Sequence, residues 1–211
     1  MFMPKVFALR RGSQVPFPER LQEAYQCYGH QITANVSAEH ILPLMESFIA
    51  AHEEPLFFIL ELPAAEQEEE ALQKTEKADA LHKNIYYLDG CTQEDASNIL
   101  RDWGTVLCHD GLCAFGFGGH LSGDEITLGK YNVAVGFSRH IAALTELFEA
   151  QGIPAAENLV TAWNTFTPEA PGNSWRVDTD GRSVFDLPTA YPAMYRAEQR
   201  AEQDCATPPT Y

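Results

Sequence analysis

Asp110–Phe137 reads DGLCAFGFGGHLSGDEITLGKYNVAVGF and holds seven of the chain's 14 glycines. From Tyr131 the odd positions Tyr131, Val133, Val135 and Phe137 are apolar, while Asn132, Ala134, Gly136 and Ser138 are small or polar. That is the period of a strand with one buried face, and it predicts that the odd residues point into the core. Phe115 and Phe117 repeat the alternation one segment earlier. Between them Gly119-His120-Leu121-Ser122-Gly123-Asp124 has the glycines and polar groups of a hairpin loop. The reading is a central hairpin over about 112–137 with a functional tip.

Working outward, Thr92-Gln93-Glu94-Asp95 fits a capping box, in which threonine accepts an orphan N–H and the acid three residues on reaches back. Ala96, Ile99, Leu100, Trp103 and Leu107 follow at helical spacing. Ser138 can cap a further helix with Ile141, Leu144, Leu147 and Phe148 inward, stopped by Gly152-Ile153-Pro154. Before the central block, Pro55–Leu62 is a near-continuous apolar run, consistent with a strand covered on both faces. Asn84–Leu88 reads as a strand ending at Asp89-Gly90. Ser37 caps a helix with Ile41, Met45, Phe48, Ile49 and His52 on one side, interrupted or started near Pro43.

Nearer the start, residues 4–10 read as a first strand. Leu21, Ala24, Tyr25 and Tyr28 predict a helix from Pro18 closed by Gly29. Downstream, Leu159, Val160, Trp163 and Phe166 suit a short helix, and two alternating runs around Asp180-Gly181 predict a second hairpin over about 175–187. Beyond Pro188 the composition suits a surface helix and a frayed tail over 191–211. The expectation is one α+β domain over 1–190, a mixed or antiparallel sheet with helices packed on it.

The net charge is −16. Residues 1–20 carry Lys5, Arg10, Arg11 and Arg20 against Glu19, so the rest of the chain carries −19. Seven acids face two lysines between Glu61 and Asp79, a stretch read as a solvated helix. Such a field repels phosphate backbones, which excludes nucleic acid as the expected partner and favours a basic protein. No apolar run reaches the length of a membrane span or a signal peptide, and five irregularly spaced cysteines suit reduced thiols, so a cytoplasmic protein is expected.

His120, Ser122 and Asp124 are the raw material for acyl transfer and define an alternative hydrolase reading, although three alternating residues of one loop seldom converge. Gly116-Phe117-Gly118-Gly119 lacks the following helix that a phosphate-binding loop needs. Cys108, His109, Asp110, Cys113 and His120 lack the spacing of a zinc finger or ribbon, so no metal or cofactor is expected. A third reading is a scaffold that self-associates through an exposed strand at Leu56–Leu60.

Trp103-Gly104, the block DGLCAFGFGGHLSGDEITLGKYNV and the later NLVTAWNTFTPEAPG resemble a group of uncharacterised bacterial proteins, some of them regarded as immunity proteins of polymorphic toxin systems. The resemblance spans about 103–187. It implies a toxin-neutralising, protein-binding role without catalytic residues. The residues chosen for binding on this reading are His120, Asp124, Glu125, Lys130 and Trp163.

Overall fold

In chain order the elements are β1 (Ser13–Gln14), β2 (Ala24–Tyr28), β3 (Gln31–Asn35), α1 (Ala38–Ala51), β4 (Leu56–Pro63), α2 (Glu66–Glu76), β5 (His82–Cys91) and α3 (Gln93–His109). They continue as β6 (Ala114–Gly119), β7 (Glu125–Leu128), β8 (Val133–Phe137), α4 (Ile141–Ala150), β9 (Asn173–Ser174), α5 (Leu187–Ala190) and β10 (Tyr195–Ala201). The computed structural model describes residues 7–76 and 81–201. Eight strands form one antiparallel sheet in the order β10-β5-β4-β6-β7-β8-β3-β2, and β1 pairs with β9 in a small ribbon. This is an α+β fold.

The glycine-rich block supplies three strands, not two, because β7 enters between β6 and β8. The β4 run lies at the centre with β5 on one side and β6 on the other. Leu56–Leu60 is therefore no free edge, and self-association through it is ruled out by its own pairing. The capping box forms: the Asp95 amide donates to Thr92 Oγ1 at 3.1 Å and the Thr92 amide donates to Asp95 Oδ2 at 2.9 Å. Below it α3 buries Ala96, Ile99, Leu100, Trp103 and Leu107. Pro43 is carried inside a continuous α1, at the end of whose first turns it sits without stopping the helix.

One face of the sheet packs on α1, α3 and α4. Phe48, Ile49, Ile99, Leu107, Leu144 and Phe148 from the helices meet Phe58, Leu60, Phe115, Phe117, Ile126 and Ala134 from the strands in a single cluster. Of the odd residues expected to be buried, Tyr131 and Val133 are, at 6% and 7% exposed, but over the rest of β8 the face is inverted. Ala134 is fully buried and Gly136 lies under Leu144, where an added Cβ would sit 2.9 Å from the leucine Cδ2. Val135 and Phe137 are instead 38% and 46% exposed on the opposite face. Close approach of α4 demands small residues beneath it, so the bulky ones are displaced outward.

Other expectations are corrected. Pro18–Arg20 is only a 3-10 turn, and Ala24–Tyr28 is strand β2, joined to β3 through the two-residue loop Gly29-His30, with Gly29 at φ 59°. The second hairpin over 175–187 reduces to its turn: Thr179 and Arg182 exchange hydrogen bonds of 2.9 and 3.0 Å around Asp180-Gly181. Of the flanking runs, 175–178 forms no strand, Val184–Asp186 is a 3-10 turn and Leu187 opens α5. Tyr195–Ala201 is an edge strand on β5 rather than a surface helix, and 202–211 lies outside the described residues. Of the strand expected over 4–10, residues 4–6 lie outside the described residues and 7–10 form no strand. The short helix near Trp163 is a 3-10 turn, Ala162–Thr165.

Candidate functional site

Strand registers fix which residues share the face away from the helices. One line across the sheet runs Gln26, Thr33, Val135, Thr127, Gly116, Ile59, Tyr87 and Tyr195. A second runs Tyr28, Gln31, Phe137, Glu125, Gly118 and Phe57. An open cavity of about 1230 Å³ lies over this face. Ile59, Ala114, Thr127, Val133 and Val135 form its floor. At one end stand Glu61, Glu66, Glu69 and Glu70, and at the other Lys130, Tyr131 and Trp163. The volume exceeds the range of roughly 300–1,000 Å³ usual for small ligands and suits a segment of chain.

The acidic end is built by the charge run. Helix α2 is tied to β5, because the His82 amide donates to Glu69 Oε2 at 2.8 Å and Asn84 Nδ2 donates to Glu68 Oε2 at 2.9 Å. Hydrogen bonding from His82 holds the Glu69 carboxyl below its ordinary value. Glu61 pairs with Lys83. Glu66 and Glu70 are exposed and, among the described residues, have no hydrogen bond or ion pair, so their charge faces the cavity.

The far end is an aromatic wall. Tyr131, Trp163 and Phe166 meet edge to face, with centroids 4.9, 4.9 and 5.5 Å apart. Such contacts add to the apolar burial of the second core, formed with Phe7, Val15 and Leu21. Tyr131 and Asn132 both take positive φ, 56° and 61°. Asn132 earns that backbone by donating to Ala8 O and Val36 O while accepting the Arg10 amide.

The predicted reactive loop does not converge. Asp124 pairs with His52, not His120: His52 Nε2 lies 3.2 Å from Asp124 Oδ2, and Nδ1 lies 2.7 Å from Phe48 O. Both ring nitrogens of His52 are occupied, leaving none to take a proton from Ser122. Ser122 Oγ accepts the Asp124 amide at 3.1 Å, a local turn bond. His120 is exposed, 3.6 Å from Asp89 and edge-on to Phe57 at 5.4 Å. Of the residues chosen for binding, Lys130 and Trp163 line the cavity and Glu125 lies on the same face. His120 lies outside the cavity lining, beside Phe57, and Asp124 is held by His52. Cys108 and Cys113 are buried with thiol pKa values pushed up to about 12, first of all by desolvation. Among the described residues no group of three or more His, Cys, Asp or Glu is placed to hold a metal.

What anchors the loop is Glu54, which sequence reasoning passed over. Its carboxylate accepts the Leu121 and Ser122 amides, the latter at 2.9 Å. Burial opposes its ionisation, but the hydroxyl and amide of Ser122 and the amide of Leu121 outweigh it and lower its pKa. A lowered carboxyl stabilises the fold above the unfolded value of about 4.3 and loses that contribution as pH falls through the folded value. Glu54→Gln is therefore expected to lower the urea midpoint at pH 7, and the gap from the parent is expected to close in acid below about pH 4. A pH-independent gap would contradict it.

No helix among the described residues is long and apolar enough to cross a membrane. No family model matches the sequence, and comparison with curated proteins and with solved structures gives no match.

Proposed function

We propose that the chain is a protein-binding module that docks a basic segment of a partner on the open sheet face. In this reading it acts as a bacterial, cytoplasmic, immunity-type protein that neutralises a toxin domain by covering it, without chemistry of its own. The observation that carries the reading is the joining of an apolar floor to the acidic end formed by Glu66 and Glu70. Apolar burial supplies affinity and the unpaired acids supply attraction and register. The net charge of −16 gathers a basic partner from a distance.

The test is position, since any acidic protein attracts a basic peptide. The probe is a peptide of about ten alternating arginine and valine residues, the length that crosses several strand spacings. Glu66→Lys with Glu70→Lys is expected to weaken its binding at least about tenfold. Glu46→Lys with Glu146→Lys makes the same charge change at exposed positions on α1 and α4, on the other side of the sheet from the groove, and is expected to weaken it less than about twofold. Equal losses from the two pairs would contradict docking on this face.

A further inference from the structure

We propose that Glu125 is the anchor for one arginine side chain of the partner, its guanidinium held between the rings of Phe57 and Phe137. The inference rests on the docking reading above and names the side chain that the partner must present.

Phe137, Glu125, Gly118 and Phe57 stand in one line across four adjacent strands. At a strand spacing of about 4.8 Å, the Glu125 backbone is one strand from Phe137 and two from Phe57. Gly118 closes the wider gap. A Cβ built on it would fall 2.2 Å from Phe57 Cζ, so the ring leans across the glycine toward Glu125. Phe137 is 46% exposed on the other side.

Between these positions Glu125 is half-buried, and among the described residues its carboxylate has neither hydrogen bond nor ion pair. Burial raises its carboxyl pKa, and the charge of Glu61 adds to the rise. Other titratable groups at this end are His120, edge-on to Phe57 and 3.6 Å from Asp89, Tyr87, 5.7 Å from the Phe57 ring, His30, 6.2 Å from the Phe137 ring, and Tyr28 in the same cross-strand line. The other half-buried acids of this face are served, Glu61 by Lys83 and Glu69 by His82, while Glu66 and Glu70 are exposed to water. Among the described residues Glu125 is the half-buried acid on this face whose carboxylate has no partner.

A desolvated carboxylate is costly until a cation reaches it. A guanidinium fits this setting better than an ammonium. It is planar, weakly hydrated and always charged, its fork matches a carboxylate, and its face stacks on aromatic rings. An ammonium is compact and strongly hydrated, and it gains less between two phenyl rings.

The experiment uses the full chain with N-acetyl-arginine methylamide and N-acetyl-lysine methylamide as probes. The Glu125 side-chain carboxyl is followed by carbon NMR through a pH titration. The arginine probe is expected to lower the Glu125 titration midpoint and to shift the Phe57 and Phe137 ring signals saturably, at least about fivefold more tightly than the lysine probe. Glu125→Gln, which keeps the side-chain shape, is expected to abolish the saturable ring shifts. Equal response to the two probes, or shifts that survive in Glu125→Gln, would overturn the assignment. A failure confined to these single-residue probes leaves the groove preference of the longer peptide intact. Loss of that preference while the arginine probe still binds refutes the wider docking reading instead.

Discussion

Gly111→Ala is expected to abolish the stable fold. A Cβ at this position would stand 1.7 Å from the carbonyl oxygen of Gly12, and one on Gly12 would stand 2.3 Å from the Gly111 nitrogen. Two backbones cross here with no side chain between them. The crossing is fixed by hydrogen bonds from Gly12 N to His109 O at 2.8 Å, from Gly111 N to Trp175 O at 3.0 Å and from Trp175 N to Gly12 O at 2.9 Å. Neither strand of the crossing can retreat without breaking them. The loss belongs with the exceptional class of single substitutions, above about 4 kcal/mol, which is most of the stability of an ordinary domain. Gly90→Ala is the contrast: its φ of 70° strains an alanine, but nothing lies within 4 Å, so a cost of only about 1 kcal/mol is expected. Thermal and urea unfolding of both variants check the pair. Near-equal midpoints would mean that the two backbones do not cross this closely.

The second large effect is expected at Arg10, which is 1% exposed. Its guanidinium donates from Nη1 to Asp110 O at 2.7 Å and Cys113 O at 3.2 Å, and from Nη2 to Gly129 O. The residue thereby ties the start of the chain to both ends of the β6–β7 hairpin. The buried Asp110 carboxylate beside it accepts the Leu112, Cys113 and Val177 amides at 2.8, 2.9 and 3.1 Å. Removing the arginine leaves the buried carbonyls of Asp110, Cys113 and Gly129 without their charged donor. Arg10→Ala is expected to cost about 3–5 kcal/mol, since each buried carbonyl left unpaired costs roughly 1–3 kcal/mol. Arg10→Met keeps the apolar stem and is expected to cost less. A loss under about 1 kcal/mol for Arg10→Ala would show that these bonds are not made in solution.

Where local chemistry decided the outcome, the sequence could be read. Thr92 and Asp95 form a capping box through bonds within four residues of chain, and α3 buries the stripe that its spacing announces. The β4 run is continuous because both of its faces are partly covered. Reading failed where the partner element set the answer. Val135 and Phe137 outweigh Ala134 and Gly136 in bulk, so the alternation favoured the wrong face; only the pressure of Leu144 on Gly136 reveals the right one. Leu21, Ala24, Tyr25 and Tyr28 match a helical period, but Gly29-His30 is a two-residue hairpin loop, and pairing with β3 outweighs a weak stripe. Tyr195–Ala201 is rich in helix formers and still becomes an edge strand, because the free edge of β5 offers a ladder that propensity alone does not foresee.

The candidate site divides in the same way. Lys130 and Trp163 stood out in sequence and do line the groove, and Glu125 shares its face. The α2 acids read as a solvated surface because nothing in sequence places them beside Ile59 and Val133. Glu54 was invisible for the same reason: its partners, Leu121 and Ser122, lie 67 and 68 residues away.

The most direct measurement of the central claim is an amide chemical-shift map of the protein with the arginine–valine peptide. Docking on the open face predicts the largest changes at Ile59, Thr127, Val133 and Val135, fading at high salt. Changes concentrated on α1, α3 and α4, with those four strand positions unmoved, would contradict it.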